Sequence, residues 1–306
     1  MAKFRVYNIQ LLPLDRATGE VGVRGYKKLF SKFQDHNRGI IKDRKEGVYH
    51  FRQNEDTFIG PVSEFHFPSG YVYGQFSRYR KVEQVKELGT EKSLYTAGPR
   101  TGVLSEERIT FVFDARSHLL ALEAPQWMPP SELFSKALES MLSPIATSEF
   151  PGYELTVHSL SKKSELEKVF STASSYSVIE LDLTFRNGHD TEELLQELKD
   201  TRTKSLIVRA SAGKGGRISR IPNFVRVMVM AASTGLGGAK ITYFVPQKVG
   251  NKIVERQQVY DTRATPVSFQ VKKTQAAMDG GTEFYERILT KLNHTNNDLE
   301  NELDDE

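Results

Sequence analysis

The chain has 306 residues, 38% of them hydrophobic and 26% charged, with no cysteine and a formal net charge of +3. That length allows one large domain or two packed ones, the composition is that of a globular protein rather than a disordered one, and the missing cysteines exclude disulfides, thiolate nucleophiles and cysteine-ligated zinc. No window reaches the roughly 18 uninterrupted apolar residues of a membrane span, and the opening MAKFRVYNIQ lacks the apolar core of a secretory signal, so a cytoplasmic protein without direct membrane insertion is expected.

FRVYNIQLL (4–12) reads as a strand, and RGYKKLFSKF (24–33) sets Tyr26, Leu29, Phe30 and Phe33 on one helical face. From there to about residue 123 the chain is β-rich: EGVYHFR, TFIGPVSEFHF and GYVYGQFSRYR alternate apolar and polar residues between Gly- and Pro-containing turns. Residues 107–125 predict a hairpin turning at Ala115-Arg116-Ser117. After Pro129-Pro130, Leu133, Phe134, Ala137, Leu138, Met141 and Leu142 mark an amphipathic helix that Pro144 is expected to end.

The second half repeats a strand-then-helix order. YELTVHSL precedes KSELEKVF, and SVIELDLTF precedes a helix expected to open at Asp190, with Glu193 at capping-box spacing. SLIVRAS (205–211) is the next strand, and the order suggests a split βαβ layer. IPNFVRVMVMAASTG reads as a buried helix, AKITYFVP and KIVERQQVYDT as a hairpin around QKVGN, and TPVSFQVKK as a further strand. A last helix with Phe284, Tyr285, Ile288, Leu289 and Leu292 on one face runs into an acidic end. The expected fold is therefore α+β. A β-rich N-terminal domain (1–145) packs with an α+β C-terminal domain (152–292) holding a mixed or antiparallel sheet, and an acidic flexible tail (293–306) follows.

Charge is far from evenly spread. Residues 101–200 carry 8 Lys and Arg against 17 Asp and Glu, whereas residues 201–273 carry 14 against 2. The basic segment opens with AGKGGRISR (212–220). It is neither a Walker loop, since no Ser or Thr follows Lys214, nor a dinucleotide loop, since its glycine spacing is wrong and no acid follows at the required distance. Glycines do let backbone amides approach a phosphate, with Lys214, Arg217 and Arg220 around them. Lys240, Lys248, Lys252, Arg256, Arg263, Lys272 and Lys273 follow on predicted strands. The pattern points to a grip on double-stranded DNA, through backbone phosphates rather than base edges, with a solvated cationic face as the alternative. A second basic candidate, Arg78, Arg80 and Lys81, interleaves with tyrosines that could stack on bases, although strand alternation also buries such tyrosines in a core. The acidic end (Asp298 to Glu306) could compete with DNA for the basic face.

Seven dispersed histidines form no HxH or HExxH pair, so no metal site and no cofactor are expected. Two rivals to DNA binding stay open. One is a metal-dependent nuclease or nucleotide-processing effector whose carboxylates, Asp114, Glu180 and Asp182, converge only in three dimensions. The other is a salt-sensitive oligomer in which the basic segment meets the acidic segment of a neighbouring subunit.

Over residues 107–292 the order of elements resembles the RexA class of prophage exclusion proteins and the related group that includes KwaB of the Kiwa defence system. The pieces that carry the resemblance are YELTVHSLSKKSELEKVF, SVIELDLTFRNGHDTEELLQELK, SLIVRAS, AASTGLGGAKITYF and VERQQVYDTRATPVSFQVK, with RITFVFDARSHLLALEAPQWMPPSELFSKAL before them. It brings across no active-site residue. It implies a non-enzymatic DNA-binding protein of phage exclusion or anti-phage defence, acting as a homodimer and with a membrane or defence partner protein.

Overall fold

The computed structural model describes residues 1–14, 18–43, 50–61, 64–96, 102–184, 205–213, 215–233, 237–250, 252–273 and 282–304. The fold is α+β and rich in strand, and every strand pair among the described residues is antiparallel.

A large sheet is organised around β1 (Ala2–Pro13). On one edge β1 pairs with β8 (Leu119–Glu123), and outward from β8 lie β7 (Gly102–Asp114), β4 (Tyr71–Val82), β3 (Thr57–Pro61) and β2 (Phe51–Arg52). Its other edge is shared end to end by β14 (Ser268–Val271), which takes Ala2 to Arg5, and β9 (Tyr153–Ser159), which takes Tyr7 to Pro13. At the junction Val6 N–H donates to Val267 O (3.0 Å), Leu160 N–H donates to Val6 O (3.1 Å) and Val267 N–H donates to Leu160 O (2.7 Å).

Alternation explains why β1 can lie at the centre. Tyr7, Ile9 and Leu11 face a core built with α1 (Gly22–Asp43) and α2 (Ser131–Glu149), and Phe4 and Val6 face a second core built with α5 (Thr282–Asp304). The predicted face of α1, Tyr26, Leu29, Phe30 and Phe33, is wholly buried against the rings of Phe65, Phe76, Phe111 and Phe113. Each such ring contributes on the order of 1.5–3 kcal/mol by burial. Gly74 is required at this contact, because a β-carbon there would stand 2.6 Å from the Phe65 ring. Beside this core, the buried His50 ring contacts the Tyr79 hydroxyl through Nδ1 and the Asn37 side-chain oxygen through Nε2, while the Asn37 amide donates to Pro61 O.

A second, smaller sheet has the order β11 (Ser205–Ser211), β10 (Ser175–Thr184), β12 (Gly237–Val249), β13 (Lys252–Asp261). One face carries Ile179, Leu181, Leu183, Ile241, Tyr243 and Tyr260, packed with α3 (Lys163–Thr172) and α4 (Asn223–Ala231). The other face is open, and Ile207 on it is 78% exposed. A remaining two-strand hairpin joins β5 (Gln84–Lys86) to β6 (Ser93–Thr96).

Four expectations change. Sheet membership does not follow a boundary near 145–152: β9, β14 and α5 belong to the large sheet and its cores, because β1 needs partners along its whole second edge. For the same reason β9 and β10 fall in different sheets and form no split βαβ layer. Helix α2 passes through Pro144 to Glu149; the proline forfeits only its own N–H bond, and Ile145 and Ala146 beyond it are buried. The segment expected to be a loose tail is helical to Asp304, continuing α5. The helix expected at Asp190 lies outside the described residues.

Candidate nucleic-acid interface

The hairpin of β12 and β13 is longer than the sheet that supports it. Pairing of β12 with β10 stops at Phe244, opposite Ser175, whereas β12 and β13 stay paired from Lys240–Asp261 out to Val249–Lys252. Residues 245–249 and 252–256 thus form a two-stranded arm of five residues a side, about 16 Å long at strand rise. Beyond Val245 every described residue of the arm is exposed. Gly250 supplies the turn, with a φ of +62° that suits glycine.

Directly opposed residues share a face. One face of the arm carries Pro246 with Glu255 and Lys248 with Ile253; the other carries Val245 with Arg256, Gln247 with Val254, and Val249 with Lys252. Lys248, Lys252 and Arg256 make no ion pair among the described residues.

The glycine loop braces this arm at its base. Ala212 N–H donates to Ser177 O (3.2 Å), and Ile218 and Tyr176 exchange two 2.8 Å bonds, so the loop is an excursion from the edge of β10. Gly216 N–H donates to Gly213 O (2.8 Å), with Gly215 at φ +76°, and the turn closes on itself. Arg217, expected to hold phosphate, instead stacks 4.0 Å above the Phe244 ring and pairs with Glu255. Ser174 Oγ also donates to Glu255 (2.8 Å). Arg220 turns toward Asn223 Oδ1 (3.4 Å) at the start of α4, and Lys214 lies outside the described residues.

The other expected cations do not join the arm; they lie on the two sheets, where Arg209, Arg263 and Lys273 are in ion pairs. Across the open face runs a row of alternating charge, Arg209, Glu180, Lys240 and Asp261, each opposite the next on neighbouring strands; Arg209 Nε is 3.5 Å from Glu180. Arg263 reaches Asp182 (3.4 Å) and Glu132 (3.3 Å), joining the small sheet to α2. Lys273, just past β14, is 2.5 Å from Glu123 on the large sheet, and exposed Lys272 precedes it there. Four of these acids come from the acidic segment 101–200, so the two segments meet in ion pairs within a single chain.

The second basic candidate is likewise committed to the large sheet. Arg78 stacks on Trp127 (5.0 Å) and bonds Gln53 (3.0 Å) and Glu107 (3.5 Å), Arg80 pairs with Asp56, and Lys81 lies 4.6 Å above Phe58. Its interleaved Tyr73 and Tyr79 are buried core. Hydrogen bonding by Arg80, foremost, holds the Asp56 carboxyl below its ordinary value. Burial pushes the Tyr176, Tyr243 and Tyr260 phenols upward, keeping them neutral on the covered face of the small sheet.

The three carboxylates of the nuclease rival are not brought together. Asp114 accepts from Arg116 N–H (3.0 Å) and Ser117 Oγ (3.1 Å) in the turn after β7, while Glu180 and Asp182 lie in the small sheet against arginines. Among the described residues no group of three or more His, Asp or Glu side chains could hold a metal ion, and no helix is long and apolar enough to cross a membrane.

Gln247 was not among the expected contacts. The signal for it was present: counting by twos from a turn at Gly250 sets Gln247 on one face with Val249, Lys252, Val254 and Arg256.

No curated protein matches the sequence. The family model described as a domain of unknown function, DUF4747, matches residues 2–290, and the chain belongs to that family.

Proposed function

We propose that the chain binds double-stranded DNA through backbone phosphates, and that the β12–β13 arm makes the contact. One observation supports this above the others: Lys248, Lys252 and Arg256 are gathered on one exposed ribbon and make no ion pair among the described residues, whereas Arg209, Arg217, Arg263 and Lys273 of the same basic segment are paired with acids. A two-stranded ribbon is among the elements that enter a DNA groove. The resemblance to RexA-like proteins adds the setting: phage exclusion in the cytoplasm, with a homodimer presenting two arms and a defence protein as partner.

Each phosphate neutralised by a cation contributes about −0.9 to the slope of log affinity against log salt. Three such contacts per chain weaken binding by roughly 40-fold between 50 and 200 mM salt. The test is duplex binding by the purified protein at those two salt concentrations, repeated with the triple variant Lys248→Ala, Lys252→Ala, Arg256→Ala. Loss of both affinity and salt dependence in the variant supports the proposal. Absence of binding at 50 mM salt, or unchanged binding by the variant, overturns it.

A further inference from the structure

Resting on that DNA-binding reading, we infer that the arm also reads base edges in the major groove, with the face formed by Val245, Gln247, Val249, Lys252, Val254 and Arg256. The cross-strand register places these six side chains on one face of the ribbon. Their chemistry is what base edges require. Arg and Lys match the O6 and N7 acceptors of guanine, Gln matches the N6 and N7 of adenine, and an aliphatic side chain covers the methyl of thymine. Each polar residue here stands opposite a valine: Arg256 across from Val245, Gln247 across from Val254, Lys252 across from Val249.

The opposite face lacks this composition. It carries one cation, Lys248 opposite Ile253, and no amide, and beside them Pro246 and Glu255, whose carboxylate is held at the arm's base by Arg217 and Ser174. A carboxylate held by two partners is not free to accept from a base edge, which leaves that face Lys248 alone as a polar contact.

Dimensions fit as well. The major groove is about 12 Å wide and 8.5 Å deep and admits a two-stranded ribbon, whereas the minor groove is about 6 Å wide. An arm of about 16 Å is longer than that groove is deep. Val249 and Val254, 60% and 49% exposed, gain a partner when they meet thymine methyls. A-form RNA hides its base edges in a deep, narrow major groove, so selectivity is expected for duplex DNA and not for duplex RNA.

The experiment is selection of duplexes from a randomised pool by the full chain, followed by dimethyl sulfate footprinting of guanine N7 on the enriched sequence. The expected result is an enriched sequence with protected N7 positions. Gln247→Ala should lower the preference for that sequence over random duplex by about 5- to 150-fold, the range of one bidentate pair, while binding to random duplex stays the same. Ile253→Ala, on the opposite face, should leave the preference intact. Equal binding of all pool members without N7 protection overturns the inference and leaves phosphate binding standing. No binding to any duplex overturns both.

Discussion

The guanidinium of Arg263 fills the space that a side chain at Gly238 would occupy: a β-carbon there would stand 2.4 Å from Nε and 2.7 Å from Cζ. From that position Arg263 reaches Asp182 beneath it and Glu132 on α2. The two substitutions Gly238→Ala and Arg263→Ala therefore remove the same contacts. Both ion pairs are partly exposed, so each variant should cost up to about 1 kcal/mol. In a double-mutant cycle by urea denaturation the two losses should not add; full additivity would show that Arg263 does not use this space.

One residue earlier the outcome differs. A β-carbon at Gly237 would meet Asp182 O at 1.9 Å, with φ at +146°. Backbone cannot step aside as a guanidinium can, so Gly237→Ala should cost about 3 kcal/mol or more. Its melting temperature should fall well below that of Gly238→Ala.

The buried His50, Asn37 and Pro61 contacts form a polar chain inside the large-sheet half. Asn37→Ala takes an acceptor from the imidazole and a donor from Pro61 O. Stranding buried polar groups costs about 1–3 kcal/mol each, and calorimetry should register that loss with the sheet content unchanged by circular dichroism.

Glu139 gives a pH-dependent prediction. Burial, and then the neighbouring Glu154, push its carboxyl above the ordinary value, against a smaller lowering by Lys136. The folded chain therefore holds this proton more tightly than the unfolded chain does. The stabilisation is complete below the unfolded glutamate value and is lost as pH rises through the raised folded value. Glu139→Gln should thus raise the melting temperature at pH 7 and bring no gain near pH 4. Equal effects at both pH values would remove Glu139 as the cause.

Arg217 and the arm lysines should separate in binding assays. Lys248→Ala or Lys252→Ala should each lower the salt slope by about 0.9. Arg217→Ala, which unfastens the arm from Phe244 and the glycine loop, should weaken binding with little change in slope. It should also speed amide exchange in residues 252–256, measurable by mass spectrometry.

Local elements were legible because local rules generate them. Period-3.6 spacing found the buried face of α1, alternation found β3 and β4, and the turn at Ala115-Arg116-Ser117 found the hairpin of β7 and β8. Pairing across long separations was not legible: nothing in SFQV announces that it will lie beside residues 2–5. The charge map failed for the same reason. It showed 14 cations against 2 acids in residues 201–273, yet Glu180, Asp182, Glu132 and Glu123 arrive from an earlier segment to meet three of those cations, Arg209, Arg263 and Lys273. Lys248, Lys252 and Arg256 lie where β12 and β13 run past the end of β10, on the two strands of the hairpin expected around QKVGN.

The position of β1 has a consequence for synthesis. This strand leaves the ribosome before any of its partners, apolar on both faces, and the last of them, β14, ends at Val271. At about 5–20 residues per second, roughly 15 to 50 seconds pass before that partner exists. Through this interval Ala2–Arg5 has an open edge, even after β9 has taken Tyr7–Pro13, which makes the nascent chain a client for holding chaperones. A fragment cut anywhere before residue 268 would keep that edge for good and should collect in inclusion bodies.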